Sequence, residues 1–512
     1  MLRFNLGPYH FNSNSPPPPE EDKPKLKPHP LYKPPKAEAP SPLREYFPLA
    51  AQAKTHADLP PVPSWNKPPV PHVPETTRLY IGFTRYWPLL QQVVVGYITA
   101  GWPPEDIYVV ENTGTFDANK RGLLTSQNPF YLDYNRLTNV FGVNVVTMPS
   151  LQSFAQLQNF YLSEAINNNM SYYFWAHMDT VPQTHEDAKP YKSLYQIAVD
   201  VIRESMAPDF RVDEKTGKSE NWAIRFFSYD WLALVKTEAY QQVGGWDSMI
   251  SYYGTDCDMH SRLGMNGLTT PIADAGQVFD VGKSLPDLEV LFRRKKKPGV
   301  RKREEETTGS TGDQGMQNVG INDNGKMEAK PIGEDGKGTE NTMEDVEKTT
   351  KATGSTFDDE KQMVTVGEHG KVTFGATNNT AVPVKDNNGP PIDMHPKKPA
   401  TDGEIQSAST KVYLTDTEED TLGSETWKEL QVTLEAMAEE KRKDPYRNSW
   451  QLKQRGGQGE PYYVDADGWE RALQMTIEAG GRIMEEKWGH RGCDIRDVGL
   501  KEGDQWRVEH DW

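Results

Sequence analysis

Apolar and polar positions along residues 78–283 switch repeatedly between a period of two and a period near 3.6, and the switching predicts alternating strands and helices. RLYIGFTR (78–85) is an apolar run of strand length. Pro88 opens a helix, where its missing N–H costs nothing, and Leu90, Val93, Val94 and Tyr97 share one face. Gly101 and Pro103 end it. DIYVVENTGT (106–115) and GVNVVTM (142–148) read as strands. Ser153 caps a helix carrying Phe154, Leu157, Tyr161 and Ala165 at spacings of three and four. MSYYFWAHMDT (170–180) is a strand that runs out into polar residues, and KSLYQIAVDVIRES (192–205) an amphipathic helix. WAIRFFSYDWLALVK (222–236) reads as one strand, followed by a short helix over 237–245. Asp256 reads as the N-cap of a helix over 257–266 that Gly267 ends.

This order predicts an α/β fold, a largely parallel sheet covered by helices on both faces. Ligands of such sheets bind beyond the carboxyl ends of the strands. The polar residues at those ends are therefore candidates: Thr84 and Arg85, Glu111 and Asn112, His177 and Asp179.

Composition changes the picture outside this stretch. Twenty of the 39 prolines precede residue 76, so 1–75 reads as an extended, polyproline-like arm. Residues 304–420 hold 24 Asp+Glu against 11 Lys+Arg and three aromatics, too little apolar surface to offset the entropy of ordering. After residue 421 a helical stripe returns at Trp427, Leu430, Leu434 and Met437, and 468–490 reads as a further helix. Six of the 13 tryptophans lie in this tail, which argues that it packs on the main domain. The expected organisation is a disordered arm (1–75), a folded domain (76–292), a disordered acidic insert (293–420) and a helical extension (421–512).

Several classes drop out. No run of ~18 apolar residues is present, so no membrane span is expected, and the first residues lack the apolar core of a signal peptide. The sequence as it stands reads as cytoplasmic, or as Golgi-lumenal with an anchor upstream. Two cysteines, Cys257 and Cys493, exclude a disulfide framework and a cysteine-rich zinc site. A net charge of −17 argues against nucleic acid as a partner. RRKKKPGVRKR (293–303) reads as a solvated linker edge or as a nuclear-import or polyanion patch. The glycine-rich phosphate loops of dinucleotide and P-loop enzymes are missing, as is the G-x-S-x-G elbow. Asn169-Met-Ser171 and Asn378-Asn-Thr380 match glycosylation acceptors.

Four segments together resemble the nucleotide-sugar-dependent glycosyltransferases of GT-A fold, in particular the family 2-like group and fungal proteins of that kind. DIYVVENTGTFD (106–117) is similar to that fold's second strand, and SFAQLQN (153–159) to a helix start ending in Asn. YYFWAHMDTV (172–181) lies where the Asp-x-Asp motif belongs, with His177 at its first position. GGWDSMISYYGTDCDMHSRLGMNG (244–267) resembles the segment that carries the catalytic acid, with Thr255 where the family has Glu.

The resemblance implies a hexosyltransferase, inverting and metal-assisted, that uses a nucleotide-diphosphate sugar donor and a saccharide or glycoconjugate acceptor. It implies Mn²⁺ or Mg²⁺ held by Asp179 with His177 and Asp280, because a divalent ion stabilises a departing diphosphate. Asp280 stands where the family often has a His ligand; His490 is the competing candidate. Asp256 matches the base that takes the acceptor proton. Thr84, Arg85, Glu111 and Asn159 would serve the nucleotide, and Trp246, Tyr252 and Tyr253 would stack on the acceptor. The bland readings stay beside these: Asp179 as an Asx-turn, Asp280 as a strand-end turn residue, the three aromatics as core, and Asp258 with Arg262 as an i,i+4 pair. The alternative function is a non-catalytic scaffold on the same fold.

Overall fold

The computed structural model describes residues 42–274, 276–296, 417–444, 448–452 and 466–512. Its elements run in the order β1 (Leu79–Phe83), α2 (Trp87–Thr99), β2 (Ile107–Glu111), α3 (Phe116–Lys120), β3 (Asn144–Thr147), α4 (Phe154–Asn167), β4 (Tyr172–Ala176), β5 (Thr180–Gln183) and α5 (Leu194–Met206), after a short α1 (Pro48–Gln52). There follow β6 (Ile224–Phe226), β7 (Leu232–Lys236), α6 (Thr237–Gln242), α7 (Thr255–Met265), β8 (Gln277–Asp280) and β9 (Arg294–Lys296). The C-terminal part gives β10 (Thr417–Glu419), α8 (Glu425–Lys443), α9 (Ser449–Leu452) and α10 (Ala466–Trp488).

The α/β class expected from the sequence is the one found. Six strands form a sheet in the order β3-β2-β1-β4-β7-β6. β1 pairs in parallel with β2 and β4, and β2 with β3, while β7 runs antiparallel to both neighbours. Alternation along the strands splits the core between the two faces. Leu79, Ile81 and Phe83 point to the face covered by α2 and α5; Tyr80, Tyr173 and Trp175 point to the face covered by α4 and α7. α2 is buried at every residue, more than its single apolar face predicts, because β5 packs on its other side. Gly96 permits that approach: a Cβ there would lie 2.8 Å from Cδ of Pro182 in β5.

One strand expectation is corrected. Residues 222–236 are not a single strand but the hairpin β6–β7, closed by Phe227 N–H donating to the Leu232 carbonyl at 3.0 Å. The polar Ser-Tyr-Asp at 228–230 makes the turn, with Tyr229 at φ 51°. Asp256 is likewise not an N-cap. Gly254 at φ 85° caps α7, Thr255 begins it, and Asp256 lies in the first turn. The Ser153 cap is found, with a reciprocal bond to Gln156.

β5 and β8 form a separate antiparallel pair in which Thr180 faces Asp280. α8 packs on β8, and its stripe of Trp427, Leu430, Leu434 and Met437 is buried. The start of α8 is tied by a buried ion pair. Arg293 Nε and Nη2 donate to Glu186 at 3.2 and 3.3 Å, and Glu186 also accepts from Gly423 N–H at 2.9 Å. Arg293, the first residue of the basic run, is thus an internal cation; residues 297–303 lie outside the described residues.

Residues 42–75, read from the sequence as the end of an extended arm, lie along the domain. Phe47 is fully buried in the core and Asn66 Nδ2 donates to the Thr99 carbonyl at 2.9 Å, apolar and polar anchors that the many prolines masked. The rest of the arm, the acidic insert over 297–416 and Asn378 lie outside the described residues. No helix among the described residues is long and apolar enough to cross a membrane.

Candidate functional site

The strand β4 ends at Ala176, on the carboxyl edge of the parallel strands, and the chain leaves it through His177 and Asp179 into β5. The β5–β8 register sets Asp280 across from Thr180, and Val281 N–H donates to the Asp179 carbonyl at 2.8 Å. Two carboxylates a hundred residues apart in sequence are thereby neighbours. Between them lies an ammonium group: Lys441 Nζ, on α8, donates to Asp179 Oδ2 at 2.6 Å and to Asp280 Oδ1 at 2.5 Å. Trp450 Nε1 also donates to Asp179 Oδ2 at 3.3 Å. Asp179 is 7% exposed, Asp280 8% and Lys441 5%. Burial acts to raise the Asp179 carboxyl, but Lys441 and then His177 hold it below the usual carboxylate value. Burial likewise acts to lower Lys441, yet Asp179 and Asp280 hold it above the usual amine value. Asp179 and Lys441 are therefore both charged at neutral pH.

His177 links this cluster to a second one. Its Nδ1 lies 3.8 Å from Asp179 Oδ1, and its Nε2 lies 3.6 Å from Oδ2 of Asp230 on the β6–β7 turn. Burial opposes the imidazolium, but Asp230, then Asp179 and Asp280, outweigh it and raise the His177 pKa. His260, one turn after Asp256 on α7, behaves oppositely. Burial lowers its pKa, and the nearby Asp256 and Asp230 offset this only in part. Asp230 is thus the shared neighbour of one histidine whose pKa is raised and another whose pKa is lowered. The aromatic walls are Trp175 and Phe154, whose rings lie 5.4 and 6.2 Å from that of His177, and Trp246, 5.5 Å from Phe154 and 6.4 Å from His260.

The residues expected to serve a nucleotide are set apart from one another. Glu111 is wholly buried and spent on internal bonds, accepting from Thr113 Oγ1 at 3.0 Å, Asn119 Nδ2 at 2.8 Å and the Tyr134 hydroxyl. Asn159 clamps the Gly245–Trp246 turn, donating to the Trp246 carbonyl and accepting its N–H, both at 2.8 Å. Arg85 is buried against the C-terminal part, donating to Glu470 at 2.7 Å and Gln451 at 3.1 Å, with its guanidinium over the Trp469 ring. Thr84 is half-buried beside it.

Of the expected acceptor aromatics, Trp246 is core, Tyr253 is 61% exposed and receives a bond from Asn448 Nδ2 at 2.9 Å, and Tyr252 lines a cavity of about 290 Å³. Ser153, Gln156, Ser251, Trp469 and Thr476 are among the other residues of its wall. The i,i+4 pair of Asp258 and Arg262 is found, at 2.8 Å. Lys487 and Trp488 of α10 also bond Asp258, at 2.6 and 2.9 Å. His490 is occupied by Asp494 at 2.8 Å and Asp511 at 2.5 Å. Cys257 of α7 forms a disulfide with Cys493, so the two cysteines excluded as a framework make a single bridge across 236 residues.

The divalent ion that the resemblance implies is not matched by the donor set. Its two best carboxylate ligands are both bonded to Lys441, and no group of three or more His, Cys, Asp or Glu among the described residues is arranged to hold a metal.

Sequence reasoning missed Lys441, Asp230 and His260. Lys441 extends the stripe 427, 430, 434, 437 by one more helical step, and a lysine on an apolar stripe was the available signal. The Ser-Tyr-Asp break in 222–236 was the signal for Asp230.

No family model matches the chain, and no curated protein matches it. Solved structures give distant likenesses. A mannosyltransferase from Pyrobaculum calidifontis in complex with GDP-Man and Mn²⁺ is 13% identical over 41% of this chain and 60% of its own, with a TM-score of 0.24. TarS of S. aureus is 9% identical over 40% of this chain and 36% of its own, at 0.25. A cytidylyltransferase from Leptospira borgpetersenii is 10% identical over 33% of this chain and 63% of its own, at 0.21. The chain therefore matches less than two thirds of each of these proteins.

Proposed function

We propose that the chain is a sugar transferase of GT-A type, family 2-like, which moves a hexose from a nucleotide-diphosphate donor to a saccharide or glycoconjugate hydroxyl. One observation carries this reading. Acidic and imidazole groups from four distant segments (His177 and Asp179, Asp230, Asp256 with His260, Asp280) gather in two linked clusters at the carboxyl edge of the parallel strands, where ligands of such sheets bind.

In this reading Asp256 is the base. It takes the acceptor O–H proton as the oxygen bonds to the donor's anomeric carbon from the face opposite the leaving group. The anomeric C–O bond to phosphate breaks in the same step, and the nucleoside diphosphate leaves with the electron pair, which inverts the configuration. A sugar hydroxyl is a poor nucleophile near neutral pH, and a positioned base contributes roughly 10²–10⁴-fold to rate. The half-buried Tyr252 offers its ring to the acceptor from the wall of the cavity. Glu111 and Asn159 act one step removed, by fixing the turn after β2 and the turn before α7.

The test is incubation of the whole chain with UDP- and GDP-hexoses and a panel of saccharide acceptors, following release of the nucleoside diphosphate and the mass of the product. Transfer that Asp256→Asn abolishes while donor affinity persists supports the reading. A folded protein that binds no donor rejects it. A second reading, a scaffold without catalysis, is favoured by two contacts: Lys441 and Trp450 both bond Asp179. The same assay separates the two.

A further inference from the structure

The pairing of Asp179 with Asp280 raises a question of charge. Two buried carboxylates so close would repel unless a cation lay between them. In a metal-assisted transferase a divalent ion does this and then meets the donor diphosphate. Here the position is taken by an amine of the chain itself.

We propose that Lys441 is the resident cation of this site, standing between Asp179 and Asp280 where a divalent ion would stand, so that donor binding does not depend on Mn²⁺ or Mg²⁺. The inference rests on the sugar-transfer reading for its donor and on the structure for its cation. Both carboxylates are engaged by the same Nζ at hydrogen-bond distance, which is the coordination role of an ion performed by an ammonium. An ammonium has three N–H donors, and two of them serve Asp179 and Asp280.

Lys441 is also no removable plug. The same helix buries Leu430, Leu434 and Met437 in the main core, and its Trp427 is buried as well. Its first turn is tied down through Ser424, whose Oγ accepts from Arg293 at 3.1 Å, and through the Arg293–Glu186 pair. The packing of α8 therefore fixes the backbone of Lys441 beside the two carboxylates. An ion competing for Asp179 and Asp280 would have to displace a charge that the fold itself holds there.

Two measurements on the intact chain test this. Titration of the wild type with Mn²⁺, read by electron paramagnetic resonance, is expected to find no stoichiometric uptake. Calorimetric titration with UDP- and GDP-hexoses is expected to give the same Kd in excess EDTA as in Mn²⁺. One equivalent of Mn²⁺ taken up by the wild type, or a donor Kd about tenfold or more weaker in EDTA, overturns the proposal. Lys441→Ala removes the cation from between the carboxylates and is expected to weaken the donor Kd about tenfold or more in EDTA; a folded Lys441→Ala that keeps the wild-type Kd also overturns it. Should that variant fail to fold, the wild-type titrations still decide. Absence of donor binding with and without Mn²⁺ rejects the sugar-transfer reading instead, while the Mn²⁺ titration judges Lys441 on its own.

Discussion

A buried ammonium between two carboxylates stabilises a fold only while the charges are present, so the Asp179–Lys441–Asp280 cluster is a liability to any single deletion. Removing one partner of a buried pair leaves the others unneutralised and costs roughly 3–5 kcal/mol. Lys441→Met keeps the stem and removes the charge; a loss of that order in urea unfolding at pH 7 is expected, and a loss below about 1 kcal/mol would mean the pair is solvent-screened. The pH dependence has a definite sign. Asp179 titrates below its ordinary value of 3.8, so its contribution is present above pH 3.8 and is lost as pH falls through the lower folded value. Lys441 titrates above its ordinary 10.5, so its contribution is present below pH 10.5 and is lost as pH rises past the higher folded value. Asp179 and Asp280 were legible as a pair only through resemblance, since a hundred residues of sequence separate them. Lys441 was invisible to a search for metal ligands, because an amine is not one.

At the scale of elements, the end of the chain is tied to the end of α10, and one of the ties is a histidine whose pKa is raised. His490 bonds Asp494 and Asp511, and these bonds raise its pKa above 6.5 against the effect of burial. A raised histidine stabilises fully below pH 6.5, and the contribution is lost as pH rises through its folded value. Asp494 is lowered, chiefly by its bond to His490, and works only above its own folded value below 3.8. The amides of Trp506 and Asp511, which bond the Lys487 and Gly489 carbonyls at 2.8 and 3.0 Å, should therefore lose hydrogen-exchange protection on moving from pH 6 to alkaline pH, after correction for intrinsic rates. His490→Gln should flatten that dependence; an unchanged slope would assign it elsewhere. The same tail carries Cys493. Reducing the Cys257–Cys493 bridge, or replacing either cysteine with alanine, should cost roughly 2–4 kcal/mol of stability because it frees a long loop in the unfolded chain. Such bridges persist in oxidising compartments, so a mass two units below the reduced value is the measurement to make on protein from its native source. Periodicity gave most helices and strands here. It failed at β6–β7, where strong β-formers on both sides of Ser228–Asp230 concealed a turn, and at α7, where a glycine displaced the cap from Asp256 to Gly254.

At the scale of the molecule, the C-terminal extension and the α/β sheet are one compact unit. Composition alone announced the insert, but not how the chain closes around it. β9 and β10 answer that: Lys296 pairs with Thr417 and Arg294 with Glu419 in an antiparallel ribbon, so the chain leaves and re-enters the unit at adjacent points. Lys295 Nζ adds an ion pair with Asp420 at 3.5 Å. A segment whose ends are already hydrogen-bonded neighbours transmits little to the fold beyond its loop-closure entropy, which changes by only about 0.6 kcal/mol for each doubling of length. Replacing residues 301–412 by a short glycine–serine linker should therefore leave the melting temperature equal or slightly higher, and the donor Kd the same. The contrasting change is Leu434→Ala, deep in the main core, which should cost roughly 2–5 kcal/mol while the sheet and the extension still unfold in one transition, reported alike by tryptophan fluorescence and far-ultraviolet dichroism. Two separated transitions in that variant would show that α8 docks on the sheet as an independent body, and Lys441 would then be a visitor to Asp179 and Asp280 rather than a fixture.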